Sequence, residues 1–188
     1  MQVLFESERL KFRLFYQDDL DVFFAYRSDP DVSRLQGWPE PYTYEMAEKS
    51  LAEIIAVEPG TPGEWLQIAL VEKSTGTMIG DIAYKILSGD ETQVEIGLTL
   101  ARPYQRTGYG IEACTRLLTY LFSELNKRRV IACTDVLNTP ACSVLEKLGF
   151  RREAHFVENI WYKGRWASEY WYGMLQSEWS RRAVLNNR

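Results

Sequence analysis

The stretch Val94-Glu-Ile-Gly-Leu-Thr-Leu-Ala-Arg-Pro-Tyr-Gln-Arg-Thr-Gly-Tyr-Gly-Ile-Glu-Ala113 decides how this chain is read. Its apolar opening, Val94 to Leu100, has strand character, and Gly108 and Gly110 mark a turn. Cys114, Leu117, Leu118, Leu121, Phe122 and Leu125 then recur at the spacing of an amphipathic helix. A strand that runs through a glycine-bearing turn into a helix points several backbone N–H groups, and the positive end of the helix dipole, at one spot. Such a spot suits a phosphate or pyrophosphate, and glycines let the backbone approach it without an intervening Cβ. The plain alternative is a helix start with convenient glycines.

Upstream, Leu10, Phe12 and Leu14 alternate with Arg9, Lys11 and Arg13, the period of a half-buried strand. Asp18-Asp19 opens a helix carrying Leu20, Phe23 and Phe24, which Ser28-Asp29-Pro30-Asp31 closes. A second helix spans Tyr44 to Ala56. Strand-like runs cover Trp65 to Val71, Met78 to Ile86 and Val94 to Leu100, separated by Ser74-Thr75-Gly76 and Ser88-Gly89-Asp90. Downstream, Arg129 to Thr134 reads as a buried strand, and a helix over Ala141 to Leu148 ends at the C-cap glycine Gly149. The tail reads as a hairpin, Phe156 to Tyr162 and Glu169 to Leu175, around Lys163-Gly164-Arg165, with its aromatic side chains mostly in a hairpin core. This order of elements implies an α/β or α+β fold.

With 188 residues, 46% hydrophobic and 26% charged, the chain suffices for one core and is cramped for two full domains. No apolar run approaches the roughly 18 residues of a membrane helix. The opening Met1-Gln-Val-Leu-Phe-Glu6 lacks the layout of a signal peptide, so a cytoplasmic location away from membranes is expected. Cys114, Cys133 and Cys142 are odd in number and widely spaced, which argues against a disulfide framework. His155 is the single histidine, so no metal site is expected. Residues 1–60 carry 12 acidic and 6 basic side chains, against 14 and 16 in the remainder, a weak hint of a cationic partner. The pairs Arg128-Arg129, Arg151-Arg152 and Arg181-Arg182 are scattered without an aromatic-basic stripe, so no nucleic-acid partner is expected.

Two phosphate-binding readings compete for the central stretch. Gly108-x-Gly110-x-x-Ala113, followed at a distance by Asp135, satisfies a dinucleotide fingerprint. Seven residues including Pro103 nevertheless separate Leu100 from Gly108, and the 78 residues after Gly110 cannot supply five or six βα units. The other reading is a resemblance. Gln105-Arg-Thr-Gly108-Tyr-Gly110 matches the Gln/Arg-x-x-Gly-x-Gly/Ala signature of the GNAT acyltransferase superfamily. Glu8-Arg9-Leu10, Phe12-Arg13-Leu14, Asp18-Asp19, Ser28 to Val32, Glu95-Ile96-Gly97, Asn138, Leu145 to Phe150 and Glu178-Trp179 fall in the order typical of its RimJ/RimL-like branch.

The resemblance implies one GNAT domain over residues 1–188, with a mixed twisted sheet that splays between its fourth and fifth strands to admit acetyl-CoA. Backbone groups of Leu98, Thr99 and Leu100 would meet the pantetheine arm. The backbone of Gln105, Arg106, Thr107, Gly108, Tyr109 and Gly110 would hold the pyrophosphate. Asn138 would contact the pantetheine arm, and it reads equally as a helix N-cap. The implied reaction moves an acetyl group to a primary amine, of a protein amino terminus or a small molecule. An ammonium must first lose a proton, so a base is needed. Glu95 is the candidate, with a strand-surface or ion-paired carboxylate as the alternative. A homodimer is expected on the same analogy.

Two positions depart from family habit. Leu145 stands where many members carry a tyrosine that protonates the departing thiolate, and Ala141 stands where the branch often has serine, with Cys142 and Ser143 only nearby. The general acid is therefore unassigned, and an idle acyl-CoA sensor is the alternative function. A Cys142–His155 nucleophilic pair would need hydrogen-bond reach between the two; the plainer reading of Cys142 is a small helix residue, and of Cys114 and Cys133 core.

Overall fold

Alternating apolar side chains build one mixed sheet in the computed structural model, which describes residues 3–186 and side chains through residue 182. Its strands are β1 (Val3–Glu6), β2 (Leu10–Arg13), β3 (Trp65–Glu72), β4 (Met78–Leu87), β5 (Asp90–Leu100), β6 (Arg129–Asp135), β7 (Arg151–Tyr162) and β8 (Arg165–Leu175). They lie in the order β1-β2-β3-β4-β5-β6-β8-β7. Only β5 and β6 run parallel. A dinucleotide fold needs a largely parallel sheet, so this topology removes that reading.

Helices cover both faces. On one, α4 (Tyr109–Thr119, continued by a π turn over Tyr120–Glu124) and α5 (Thr139–Leu148) bury Leu117, Leu118, Leu121 and Leu145 against Val94, Ile96 and Leu100. On the other, α1 (Leu20–Ser28) and α3 (Tyr44–Ala56) bury Phe23, Tyr26 and Leu51 against Ala69, Val71 and Met78. Fully burying each large apolar side chain contributes about 1.5–3 kcal/mol. Thr43 caps α3 by accepting from the Met46 N–H at 3.2 Å, and Gly149 ends α5 at φ +89°, which only glycine adopts without strain.

Three elements differ from expectation. Pro30 opens a short helix α2 (Pro30–Ser33) capped by Asp29, rather than only closing α1. Val3–Glu6 adds an unexpected edge strand, and Gln176–Asn186 forms a terminal helix, α6.

The feature that matters for function lies at the one parallel junction. β5 and β6 pair only where Gln93, Val94 and Glu95 meet Arg129, Val130 and Ile131. Beyond that point β5 stays with β4 as far as Leu100, and β6 stays with β8 as far as Asp135. The sheet therefore parts where expected. The extra amino-terminal strand makes these the fifth and sixth strands rather than the fourth and fifth.

Candidate active site

The edge of β5 from Ile96 to Leu100 faces the parting without a partner strand. The chain leaves Leu100 through a single turn, Arg102–Tyr104, and enters α4 at Gly108, whose φ of +90° a side chain would strain. The first helical bond runs from the Glu112 N–H to the Gly108 carbonyl. Among the described residues, the six N–H groups from Arg106 to Ile111 donate to no protein oxygen. With the helix dipole behind them, they form an anion-binding cradle at the mouth of the parting.

Gln105 departs from the expected role. Its N–H already donates to the Arg102 carbonyl at 3.2 Å, so the free run begins one residue later. Its side-chain Nε2 donates to the Leu100 carbonyl at 2.9 Å and ties the loop to the end of β5. The α-carbon of Gly110 faces the core while its N–H joins the cradle: a Cβ there would stand in van der Waals contact, 3.4 Å from Leu98 Cδ2 and 3.7 Å from Val144 Cγ2, which leaves room for little more than a methyl group.

The cradle is fastened from outside. Arg9 donates its main-chain N–H and its Nε to Glu112, at 2.7 and 2.6 Å, while its Nη1 reaches the Thr107 carbonyl at 3.3 Å. The guanidinium lies 4.1 Å over the Tyr109 ring, and the Tyr109 hydroxyl donates to Glu72. The sequence marks neither Arg9 nor Glu112 for a role of its own; both stand only within longer motifs.

Side chains alternate along β5, so Glu95, Gly97 and Thr99 face away from α4. Glu95 Oε2 accepts from Lys85 Nζ at 2.8 Å, which realises the ion-paired alternative for this residue. Lys85 Nζ also lies 4.6 Å from the centre of the Trp65 ring. That ring reaches across β4, its Cζ3 4.0 Å from where a Cβ on Gly97 would stand. Trp65 also lines a pocket of about 340 Å³ with Arg27, Ser50, Glu53, Glu64 and Gln67.

Deeper on this face, Asp81, opposite Thr99 in the β4–β5 register, accepts from the Tyr26 hydroxyl at 2.5 Å and lies 3.9 Å from Arg27 Nη2. Burial pushes the Asp81 carboxyl above its ordinary range despite that cation, and it pushes the Tyr26 hydroxyl well up. Across the parting, Cys133 is half-buried rather than core, with Sγ 3.2 Å from Glu169 Oε1. Burial and that carboxylate raise its thiol far above the usual range. At the hairpin tip, Lys163 Nζ donates to the Ser33 carbonyl at 2.6 Å and pairs with Glu40 at 3.2 Å, so the far half of the sheet clasps α2 and the loop after it.

Asn138 caps α5 through Oδ1, which accepts from the Ala141 N–H at 3.2 Å; its Nδ2 has no partner among the described residues. The Cys142–His155 pair does not form. Cys142 is buried beside the Tyr172 hydroxyl, whereas the His155 ring packs on Tyr170 at 4.8 Å. Leu145 is buried in the core. The tail aromatics are less buried than expected: Tyr172 is core, but Trp161 and Trp166 are 60% and 57% exposed.

The profile of the acetyltransferase (GNAT) domain matches residues 9–151. An uncharacterized N-acetyltransferase of Bacillus subtilis, YnaD, is 31% identical over 174 residues, covering 93% of this chain and 98% of its own. The crystal structure of an acetyltransferase of the GNAT family from Bacillus anthracis is 30% identical with a TM-score of 0.82, covering 95% of this chain and all of its own. Spermidine N-acetyltransferase from Vibrio cholerae, solved with CoA and spermine, shares the fold at a TM-score of 0.77 and 21% identity, over 92% of this chain and 98% of its own. A sheet parted at its one parallel junction, a helix-borne anion cradle at the mouth, and these likenesses together place the chain in the GNAT acetyltransferase family.

Proposed function

We propose that this chain transfers an acetyl group from acetyl-CoA to a primary amine, with the pyrophosphate on the cradle and the pantetheine arm along the free edge of β5. The observation that carries this reading is the run of six unpartnered N–H groups beside the parted strands. A pyrophosphate satisfies that run, and an amide-bearing arm satisfies the edge from Leu98 to Leu100. Asn138 Nδ2 is left to donate to the same arm. When bound, acetyl-CoA supplies an acyl carbon activated by a thioester.

The protein's share is proton removal, polarisation and positioning. Glu95 takes the proton of the incoming ammonium, which requires that amine to displace Lys85. A backbone N–H near Leu98 or Thr99 donates to the acyl oxygen, a contribution of about 3–4 kcal/mol where such donors have been removed. With Leu145 in place of a tyrosine, the departing thiolate takes its proton from solvent.

The acceptor class, the RimJ/RimL-like branch, a homodimer, a cytoplasmic location and a single domain over residues 1–188 belong to this reading and rest on the resemblance. Glu53 and Glu64, which line the pocket and have no ion-pair partner among the described residues, support a cationic acceptor. The N-acetyltransferase name of the B. subtilis relative favours an enzyme over a sensor. Thiol release from acetyl-CoA across a panel of diamines, monoamines and peptides tests the reading. Release that requires an amine supports it, and none with any acceptor by protein that binds acetyl-CoA contradicts it.

A further inference from the structure

We infer that Lys85 is an internal acetyl acceptor, so that the protein modifies its own active site before, or in competition with, an external amine. The inference rests on the acetyl-transfer reading above and goes beyond it. An acceptor amine must reach the base, lie on the acceptor face, and stand beside the thioester.

Lys85 meets the first two conditions directly. Its Nζ is 2.8 Å from Glu95 Oε2 and 4.6 Å from the Trp65 ring centre, and only 25% of its side chain is exposed. Most lysines keep a flexible chain in water, whereas this ammonium is held at two points. The third condition follows through Trp65, whose far edge reaches Gly97. Gly97 lies on the free edge of β5, two residues past Glu95, the last residue paired to β6, and next to Leu98, where the proposed pantetheine track begins. Lys85 and the head of that track therefore sit on the same indole.

The step balances without an added reagent. Glu95 takes one proton from the Lys85 ammonium. The freed nitrogen lone pair forms the N–C bond to the acyl carbon as the carbon–sulfur bond breaks, and that bond's electron pair leaves on sulfur. The acylated nitrogen sheds its second proton to solvent, Glu95 releases the first, and the thiolate takes one back, so the sum is Lys85 acetamide, free thiol and one released proton. The amide carries no charge. Glu95 then loses its cationic partner, and the ammonium of an external amine no longer has to displace one.

The test incubates purified full-length protein with acetyl-CoA alone and follows acetylation of each lysine by peptide mass spectrometry. The exposed Lys49 and Lys147 serve as internal references. Acetyl-CoA with an external amine is run in parallel. Lys85 is expected to react at least about tenfold faster than either reference, given the size of general-base effects, at a rate independent of protein concentration. That advantage is expected to vanish in Glu95→Gln, and the Lys85→Arg protein is expected to show no fast site. If Lys85 reacts no faster than Lys49 while the external amine is turned over, the inference fails and the acetyl-transfer reading stands. If neither reaction occurs, both fail.

Discussion

Arg9 and Glu112, 103 residues apart in sequence, are joined twice: the Arg9 main-chain N–H and its guanidinium each donate to the Glu112 carboxylate. Ser7 Oγ adds a third donor at 2.7 Å. The connection between β1 and β2 is thereby fastened to the first turn of α4, beside the anion cradle. Partial burial pulls the Glu112 carboxyl upward, but these donors outweigh it and hold it below its ordinary 4.5. A depressed folded-state value adds stability above the unfolded value and loses it as pH falls through the folded one. Glu112→Gln is expected to cost about 1 kcal/mol at neutral pH. Below about pH 4.5 its melting temperature should converge on that of the native protein, which calorimetry across pH checks.

Glu95→Gln is expected to lower kcat with a good amine by about a hundredfold or more, the usual scale for a positioned general base. The KM for acetyl-CoA should change little, because Glu95 lies on the face away from α4. Steady-state kinetics with each substrate varied separates the two effects. A kcat within threefold of native would remove Glu95 from the mechanism.

Gly110 faces Leu98, Leu100 and Val144. An alanine Cβ fits at 3.4 Å with a slight adjustment, and the gain in helix propensity, about 1 kcal/mol, offsets it. Gly110→Ala should be close to neutral in stability. Gly110→Val overfills the same space and should cost about 1–3 kcal/mol, read by chemical denaturation. Because the added bulk pushes α4 off β5, acetyl-CoA affinity should fall with it.

Asp81 balances the charge of Arg27, which is also packed 4.2 Å from the Phe23 ring and 4.3 Å from the Trp38 ring. Asp81→Ala leaves that cation buried without a carboxylate partner, with only the neutral Gln67 and Tyr26 side chains beside it among the described residues, and it should destabilise the fold by about 3–5 kcal/mol. Tyr26→Phe removes one donor and should cost about 1–3 kcal/mol. Urea unfolding of the two variants checks the order.

The segment from Val94 to Ala113 was legible because its chemistry is local. A strand, a turn that needs glycine at φ +90° and an amphipathic helix each leave a short-range imprint. The pairing of Lys85 with Glu95 was hidden for a physical reason. At the tip of the β4–β5 hairpin Leu87 faces Asp90, a register that would carry Lys85 opposite Thr92. An irregularity between Ile86 and Leu87 shifts the ladder and brings Glu95 there instead. The clasp of Lys163 on Ser33 spans 130 residues and has no local signal. The tail aromatics misled because alternation shows which side chains share a face, whereas burial depends on what covers that face. β7 is an edge strand, and near the hairpin tip Trp161 on β7 and Trp166 on β8 pack on each other, ring centres 5.5 Å apart, while staying mostly exposed.

Isothermal calorimetry of acetyl-CoA with the native protein and with Arg106→Glu tests the central claim most directly. Arg106 is exposed in the loop at φ +61°, so the exchange keeps the backbone strain constant while setting a carboxylate at the cradle. Native protein should bind in the micromolar range, and the variant, folded by circular dichroism, should lose at least about tenfold, or 1.4 kcal/mol. Absence of binding by folded native protein, or equal binding by the two, would contradict the assignment of the cradle to the cofactor's pyrophosphate.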